Sequence, residues 1–181
     1  MSAASDIFRF IYVRVPRTGS STFMHYLETA FKPYLVDVGH QHASAVELRD
    51  LWKDKWHTYH TFGFIRNPWE WLVSMYNANL SEGPRGKEAL PGSSSGHMRK
   101  ANLSFDEWIY ERQTGPMDWL SDHEGDLIVK EVRLFEDFVK EARYQCSELS
   151  HPPYREWYTP DLADYVELKF SREIEIGNYS F

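Results

Sequence analysis

Three short stretches of the chain carry residues able to handle an anion and a proton. The first, PRTGSST from Pro16 to Thr22, sets small and basic residues between an apolar run and a helical pattern. In a turn between a strand and a helix, the backbone N–H groups and the helix end can gather around a phosphate. Gly19 permits a left-handed turn, Ser20, Ser21 and Thr22 add hydroxyls, and Arg17 adds a charged fork. The same composition serves equally as a plain capped helix start. In the second stretch, FGFIRNPWEWLVSMY, Arg66 closes an apolar run and Ser74 lies two turns into the pattern that follows. An arginine at a strand end of an open α/β sheet can grip a phosphate with two parallel hydrogen bonds. Alone, Arg66 reads as a cap partner; paired with the first turn, it suits a ligand with two phosphates. The third stretch, VGHQHASAVELRD, holds His40 and His42, whose imidazoles titrate near neutral pH. A His-x-His pair can bind metal, but no third ligand has suitable spacing, and no metal site is expected. The nucleotide loop G-x-x-x-x-G-K-[ST], with its lysine and magnesium-binding hydroxyl, is absent.

The elements that must position these residues follow from periodicity. Phe8 to Pro16 reads as a strand, dense in β-branched and aromatic residues and closed by proline; from Ser21 onward Phe23, Leu27, Ala30 and Phe31 recur at helical spacing. YLVDVGHQH reads as a second short strand and a turn, and SAVELRDLW as a helix capped by Ser44 with Glu47 at the capping-box position. A third strand runs from Tyr59 to Pro68, followed by a helix carrying Trp69, Leu72, Val73 and Tyr76. Residues 81–102, rich in Gly, Ser and Pro, read as a mobile loop, either a lid or a disordered connection. Ser104 and Glu107 mark another capped helix. Leu127 to Lys130 reads as a strand, Glu131 to Arg133 as a turn, and the stretch after it as a helix with Phe135, Phe138, Val139 and Ala142 inward. A rigid HPPYREW loop leads to a last helix with Thr159 as cap and Pro160 at its first position. Strands alternating with helices predict a small open, mainly parallel α/β sheet flanked by helices.

The chain has 181 residues, 42% of them hydrophobic, which suits a single domain spanning 1–181. A formal charge of -7 argues against a nucleic-acid binder, so an anionic ligand needs a local cluster of positive groups. The single cysteine, Cys146, allows neither an intrachain disulfide framework nor a cysteine metal cluster. No signal-peptide core and no window near the roughly 20 apolar residues of a membrane span occurs, and a cytoplasmic location is expected.

VRVPRTGSSTF followed by FGFIRNPWEWLVSMY resembles the two donor-binding motifs of the sulfotransferases that use 3'-phosphoadenosine 5'-phosphosulfate, in the branch of Golgi carbohydrate sulfotransferases and their bacterial relatives. The ending YREWYTPDLADYVELKFSREIEIGNYSF is similar to that family's ending, so the resemblance touches most of the chain. It implies a P-loop-like sulfotransferase fold with this donor as cofactor and 3',5'-bisphosphoadenosine as product. Arg17 would contact the bridging and transferred oxygens, and Thr18, Gly19, Ser20, Ser21 and Thr22 would wrap the 5'-phosphate. Arg66 and Ser74 would hold the 3'-phosphate, and Tyr154 and Arg155 would close over the nucleotide. A histidine ahead of a helix start, best matched by His42, would be the base for a hydroxyl acceptor, a carbohydrate or small metabolite. Three positions depart from the family pattern: Arg17 replaces the commoner lysine, Ser20 a frequent glycine, and Trp71 a common second basic residue. Two other readings stand beside this one: a catalytically silent nucleotide-binding or scaffold protein, and a small-molecule kinase.

Overall fold

The computed structural model describes residues 2–81, 103–112, 114–141 and 151–181. Its centre is a five-stranded sheet in the order β3-β1-β2-β4-β5, made of β1 (Ser2–Ser5), β2 (Phe10–Val13), β3 (Val36–Val38), β4 (His60–Ile65) and β5 (Glu131–Leu134). β2, β4 and β5 pair in parallel, while β1 runs antiparallel to both of its neighbours. Four strands therefore point one way and the sheet is mixed. Around it lie α1 (Ser20–Phe31), α2 (Ala45–Trp52), α3 (Asp54–Thr58), α4 (Pro68–Ser81), α5 (Phe105–Glu111), α6 (Phe135–Glu141), α7 (Pro160–Lys169) and α8 (Ser171–Gly177). Three 3-10 turns, Lys32–Tyr34, Pro116–Trp119 and Tyr154–Trp157, complete the described elements.

Alternation along the strands fills both sheet faces. Ile11, Val13 and Ile65 point into a core with Leu48, Trp56, Met117 and Leu120, whereas Tyr12, Phe62 and Phe64 pack on Phe23, Met24 and Leu27 of α1. A third cluster joins α4, α5 and α7 through Trp69, Leu72, Trp108 and Leu162. The capping signals all hold: Ser44 and Ser104 form complete capping boxes with Glu47 and Glu107, and Thr159 accepts the Leu162 N–H at 3.3 Å.

Several sequence expectations shift. β1 forms a hairpin with β2 through small residues that carry no strand signal of their own. The predicted first strand, Phe8 to Pro16, contracts to Phe10–Val13. The strand expected at 127–130 lies instead at Glu131–Leu134, pairing Phe62 with Glu131 and Ile65 with Leu134. Leu127 makes an isolated bridge to Ser121, and the Ile128 N–H bonds the Leu120 carbonyl, so this apolar run braces the 3-10 turn. Short α3 was not expected, and the final helical stretch divides into α7 and α8 at Phe170. The loop expected at 81–102 lies, apart from the last residue of α4, outside the described residues, as do Ala142 and Cys146.

Gly63, in the middle of β4, is where the sheet meets the 3-10 turn most closely. A Cβ there would stand 2.5 Å from Leu120 Cδ2 and 3.1 Å from the Val13 carbonyl oxygen. Gly63→Ala is expected to cost about 1–3 kcal/mol through overpacking. Urea unfolding should show a lower midpoint at unchanged slope.

Candidate active site

The site forms where β2, β4 and β5 end together and pass into α1, α4 and α6. Arg17 and Gly19 both adopt left-handed backbone, with φ of 59° and 68°. For glycine this is unstrained, whereas for arginine it needs support. The Arg66 Nη1 donates to the Arg17 carbonyl at 3.3 Å, and Arg17 Nε donates to Ser74 Oγ at 3.0 Å. Trp71, fully buried, donates its indole N–H to the Pro16 carbonyl at 2.8 Å. The turn is thus tied at two points to α4, through Trp71 and Ser74, and at a third to Arg66 just ahead of it. Gly19 also lies against α6, since a Cβ would fall 2.2 Å from the Phe135 ring.

α1 begins at this turn with Gly19 as its N-cap, no side-chain cap hydrogen bond and no acid in its first turn. The leading N–H groups of a helix have no intrahelical acceptor and carry partial positive charge. Beneath them lies buried Arg14, which donates to Ser20 Oγ at 3.3 Å and Ser21 Oγ at 2.9 Å. A cation at a helix N-terminus is ordinarily unfavourable, so this arrangement favours an anion there. Thr18 is buried with its hydroxyl turned back to the Val15 carbonyl at 3.0 Å, a turn-holding contact.

Arg66 is 5% exposed. Its Nη2 meets the Glu70 carboxylate at 2.6 Å and its guanidinium lies 4.9 Å from the Phe135 ring centroid. Nε is buried with no hydrogen-bond partner among the described residues. A buried N–H of a charged group without an acceptor is costly, and a further acceptor such as a phosphate oxygen would satisfy it. Glu136 organises the same corner: it accepts the Asn67 N–H at 2.9 Å and the Tyr179 hydroxyl at 2.8 Å.

His42, in the turn between β3 and α2, lies beside the end of β2, its Nδ1 being 2.9 Å from the Arg14 carbonyl. A carbonyl only accepts, so Nδ1 carries the proton and neutral His42 keeps a lone pair on Nε2. That nitrogen has no hydrogen bond among the described residues. Trp119 donates its indole N–H to the His42 carbonyl at 3.2 Å. Burial lowers the His42 pKa, partly offset by the Arg14 carbonyl bond, while the Arg14 charge lowers it further. His40 is occupied on both ring nitrogens: Nε2 faces Glu47 at 3.1 Å and Nδ1 accepts the His42 N–H at 3.3 Å. Of the two histidines, His42 has the uncommitted nitrogen.

The structure therefore brings Arg17 to Thr22, Arg66, Ser74 and His42 to one sheet edge. Among the described residues Tyr154 and Arg155 make no hydrogen bond to that group: Arg155 stacks on Tyr154 at 4.8 Å and lies 5.8 Å from Phe181, whose ring packs against Trp69. Sequence reading missed Arg14, Trp119 and Glu136. Only Arg14 left a signal, a charge inside an apolar strand that alternates inward and outward. A cleft of about 590 Å³ between α1, β5 and α6, lined by Phe23, Tyr26, Phe138 and Asp137 among others, contains none of the predicted site residues. Among the described residues no group of three metal-ligating side chains is assembled, and no helix is long and apolar enough to cross a membrane.

Fold and site define an α/β protein in which the turn from Arg17 to Thr22, Arg66, Ser74 and His42 meet at the C-terminal edge of the parallel strands. The chain matches the model of the sulfotransferase family over residues 4–159 and belongs to that family. Neither the curated proteins nor the solved structures yield a match.

The depressed pKa of His42 has a definite sign in stability. The unfolded imidazole binds its proton more tightly, so the contribution is present above pH 6.5 and lost as pH falls through the lower folded value. An NMR titration should place the His42 midpoint below 6.5, and acidification should lower the melting temperature less in His42→Asn than in the wild type.

Proposed function

We propose that the protein transfers a sulfuryl group from 3'-phosphoadenosine 5'-phosphosulfate to a hydroxyl acceptor, in the manner of the carbohydrate sulfotransferase branch. The observation that carries this reading is the junction of the two motifs. Arg17 Nε bonds Ser74 Oγ and Arg66 bonds the Arg17 carbonyl, so residues far apart in sequence form one cationic cradle. The acid-free start of α1 and the unpartnered Arg66 Nε suit two anionic groups, as this donor has.

The donor supplies a sulfuryl group on a phosphate oxygen that departs as an anion. The turn from Arg17 to Thr22 holds the 5'-phosphate through backbone N–H groups and hydroxyls, and Arg17 stabilises the charge that grows on the departing oxygen, a preorganised electrostatic contribution. Arg66 holds the 3'-phosphate, with Glu70 fixing its fork and Ser74 beside it. In this reading Ser74 also anchors Arg17, and Thr18 contributes backbone more than hydroxyl. His42 accepts the acceptor's proton at Nε2 while Nδ1–H stays on the Arg14 carbonyl, keeping the ring oriented; its lowered pKa keeps it neutral and ready at physiological pH. Tyr154 and Arg155 sit on a turn that packs against α4, the helix carrying Ser74, and would close over the nucleotide from that side. Transfer needs no covalent enzyme intermediate and no resident metal, and one domain suffices for it.

Thermal stabilisation distinguishes this from a kinase: 3',5'-bisphosphoadenosine should raise the melting temperature and ATP with magnesium should not. Arg66→Ala should weaken bisphosphoadenosine binding tenfold or more, about 1.5–3 kcal/mol for a lost charge-assisted bond. His42→Ala should leave that affinity unchanged and reduce transfer of labelled sulfuryl group, across a panel of sugar and phenol acceptors, by about 10²–10⁴-fold. Equal stabilisation by ATP and magnesium, or full turnover in His42→Ala, would contradict the assignment.

A further inference from the structure

Glu173 has no part in the cradle, yet it is a carboxylate only 4% exposed, on α8 near the end of the chain. Its Oε1 accepts the Met117 N–H at 3.1 Å. Met117 belongs to the 3-10 turn Pro116–Trp119, whose leading N–H groups lack acceptors within the turn. Asp118 takes the Gly115 N–H and Glu173 takes that of Met117, so two carboxylates hold this turn at its positive end. Two residues further on, Trp119 donates its indole N–H to the His42 carbonyl at 3.2 Å, and His42 Nδ1 donates to the Arg14 carbonyl at 2.9 Å. Three hydrogen bonds and one short turn thus connect α8 to the end of β2.

The turn has little room to adjust. A Cβ on Gly115 would lie 2.6 Å from Phe170 and 2.7 Å from Glu173 Oε1, and Leu120 presses on Gly63. Moving the Glu173 carboxylate therefore moves the turn, and the turn carries the indole that holds His42. We infer that Glu173 is a positioning residue of the transfer site, acting through the Pro116–Trp119 turn and Trp119 on His42; the inference rests on His42 being the base.

Ionisation of Glu173 strengthens its hold on the Met117 N–H, because a charged acceptor makes the stronger bond. Burial pushes its pKa up to about 7; the Met117 N–H and exposed Arg172 oppose this, and Asp118 adds to it. Arg112, over the Trp71 and Trp108 rings, is the further charge, facing Asp118 from the end of α5. The turn should therefore tighten as pH rises through neutrality.

The test uses the full ¹⁵N-labelled chain saturated with 3',5'-bisphosphoadenosine, comparing the wild type with Glu173→Gln and Glu173→Ala. In the wild type the Trp119 indole N–H resonance should show an inflection near pH 7, and Glu173→Gln should abolish it. In Glu173→Ala that resonance should shift, the His42 midpoint should move up toward 6.5, and labelled-donor turnover should fall about tenfold with bisphosphoadenosine affinity within about twofold. If Glu173→Ala fails to fold, judged by loss of nucleotide-induced thermal stabilisation, the Glu173→Gln inflection decides alone. Unchanged Trp119 and His42 resonances in Glu173→Ala, a Trp119 signal flat through pH 7 in the wild type, an inflection that persists in Glu173→Gln, or an affinity loss as large as the turnover loss would each overturn the inference. Full turnover in His42→Ala would instead remove the base assignment and leave the Glu173 to His42 coupling to be read from the resonances.

Discussion

A guanidinium at 5% exposure cannot sit at the end of a central strand without partners on several sides, and Arg66 recruits one from each neighbouring crossover. The Arg17 carbonyl comes from the turn between β2 and α1, the Glu70 carboxylate from α4, and the Phe135 face from the start of α6. Burying this one cation sets how three strand-to-helix turns approach one another. It also explains how a non-glycine residue is kept at φ 59°: the strained Arg17 is held at its carbonyl by Arg66 and at its side chain by Ser74. Nη1 and Nη2 each have an acceptor, whereas Nε is buried and has none among the described residues, so it is the point at which the proposed ligand would complete the fork.

Two tryptophans extend that order into the helical layer. Trp71 donates to the Pro16 carbonyl and Trp119 to the His42 carbonyl, so the Arg17 turn and the His42 segment are each fixed by an indole donor. Indoles suit this task because one edge donates while the rest of the ring packs in an apolar core. Trp71, at the position where the resemblance in sequence implies a basic residue, has its ring covered by the Arg112 guanidinium at 4.7 Å. Positive charge is thus present near that position from another element, although behind the indole. Part of the high aromatic content is therefore structural wiring around the site; much of the remainder is the sheet-face cluster of Tyr12, Phe23, Phe62 and Phe64 and the C-terminal cluster of Trp69, Tyr158 and Phe181.

Local signals were legible in the sequence wherever the local chemistry is self-contained. Ser44 with Glu47, Ser104 with Glu107, and Thr159 before Pro160 each satisfy their own helix start, and all three caps form. The dense apolar runs of β2 and β4 likewise announce strands buried on both faces. β1 is different: Ser2–Ser5 has neither β-branched nor aromatic residues, and its place between β2 and β3 comes from pairing alone. The displaced β5 shows tertiary context overriding propensity. Leu127 to Val129 is the better strand former, yet it is Glu131 that pairs beside β4, where its carboxylate meets His60 across the strands at 2.7 Å. Tyr154 and Arg155 were legible as a loop but not as a destination, since their stacking on Phe181 depends on where the chain ends up.

The electrostatics of the site follow from the same division between local and long-range effects. A chain of net charge -7 repels anions as a whole, so attraction has to be concentrated. Arg14, Arg17 and Arg66 converge on a helix start that has no acidic residue in its first turn, and burial of Arg14 and Arg66 lowers the screening that solvent would impose on them. Glu70 tempers this field and also orients it, by fixing one arm of the Arg66 fork. A loop built around a flexible lysine and a magnesium ion selects triphosphate by coordination. Here the cations are arginines at the strand ends and in the turn between β2 and α1, and His42 beside them is held in a single tautomer by the Arg14 carbonyl. On the proposed reading such an arrangement would recognise the separation and orientation of fixed anionic groups, and so favour a ligand with charges at both ends of a ribose over one whose charges lie in a single chain.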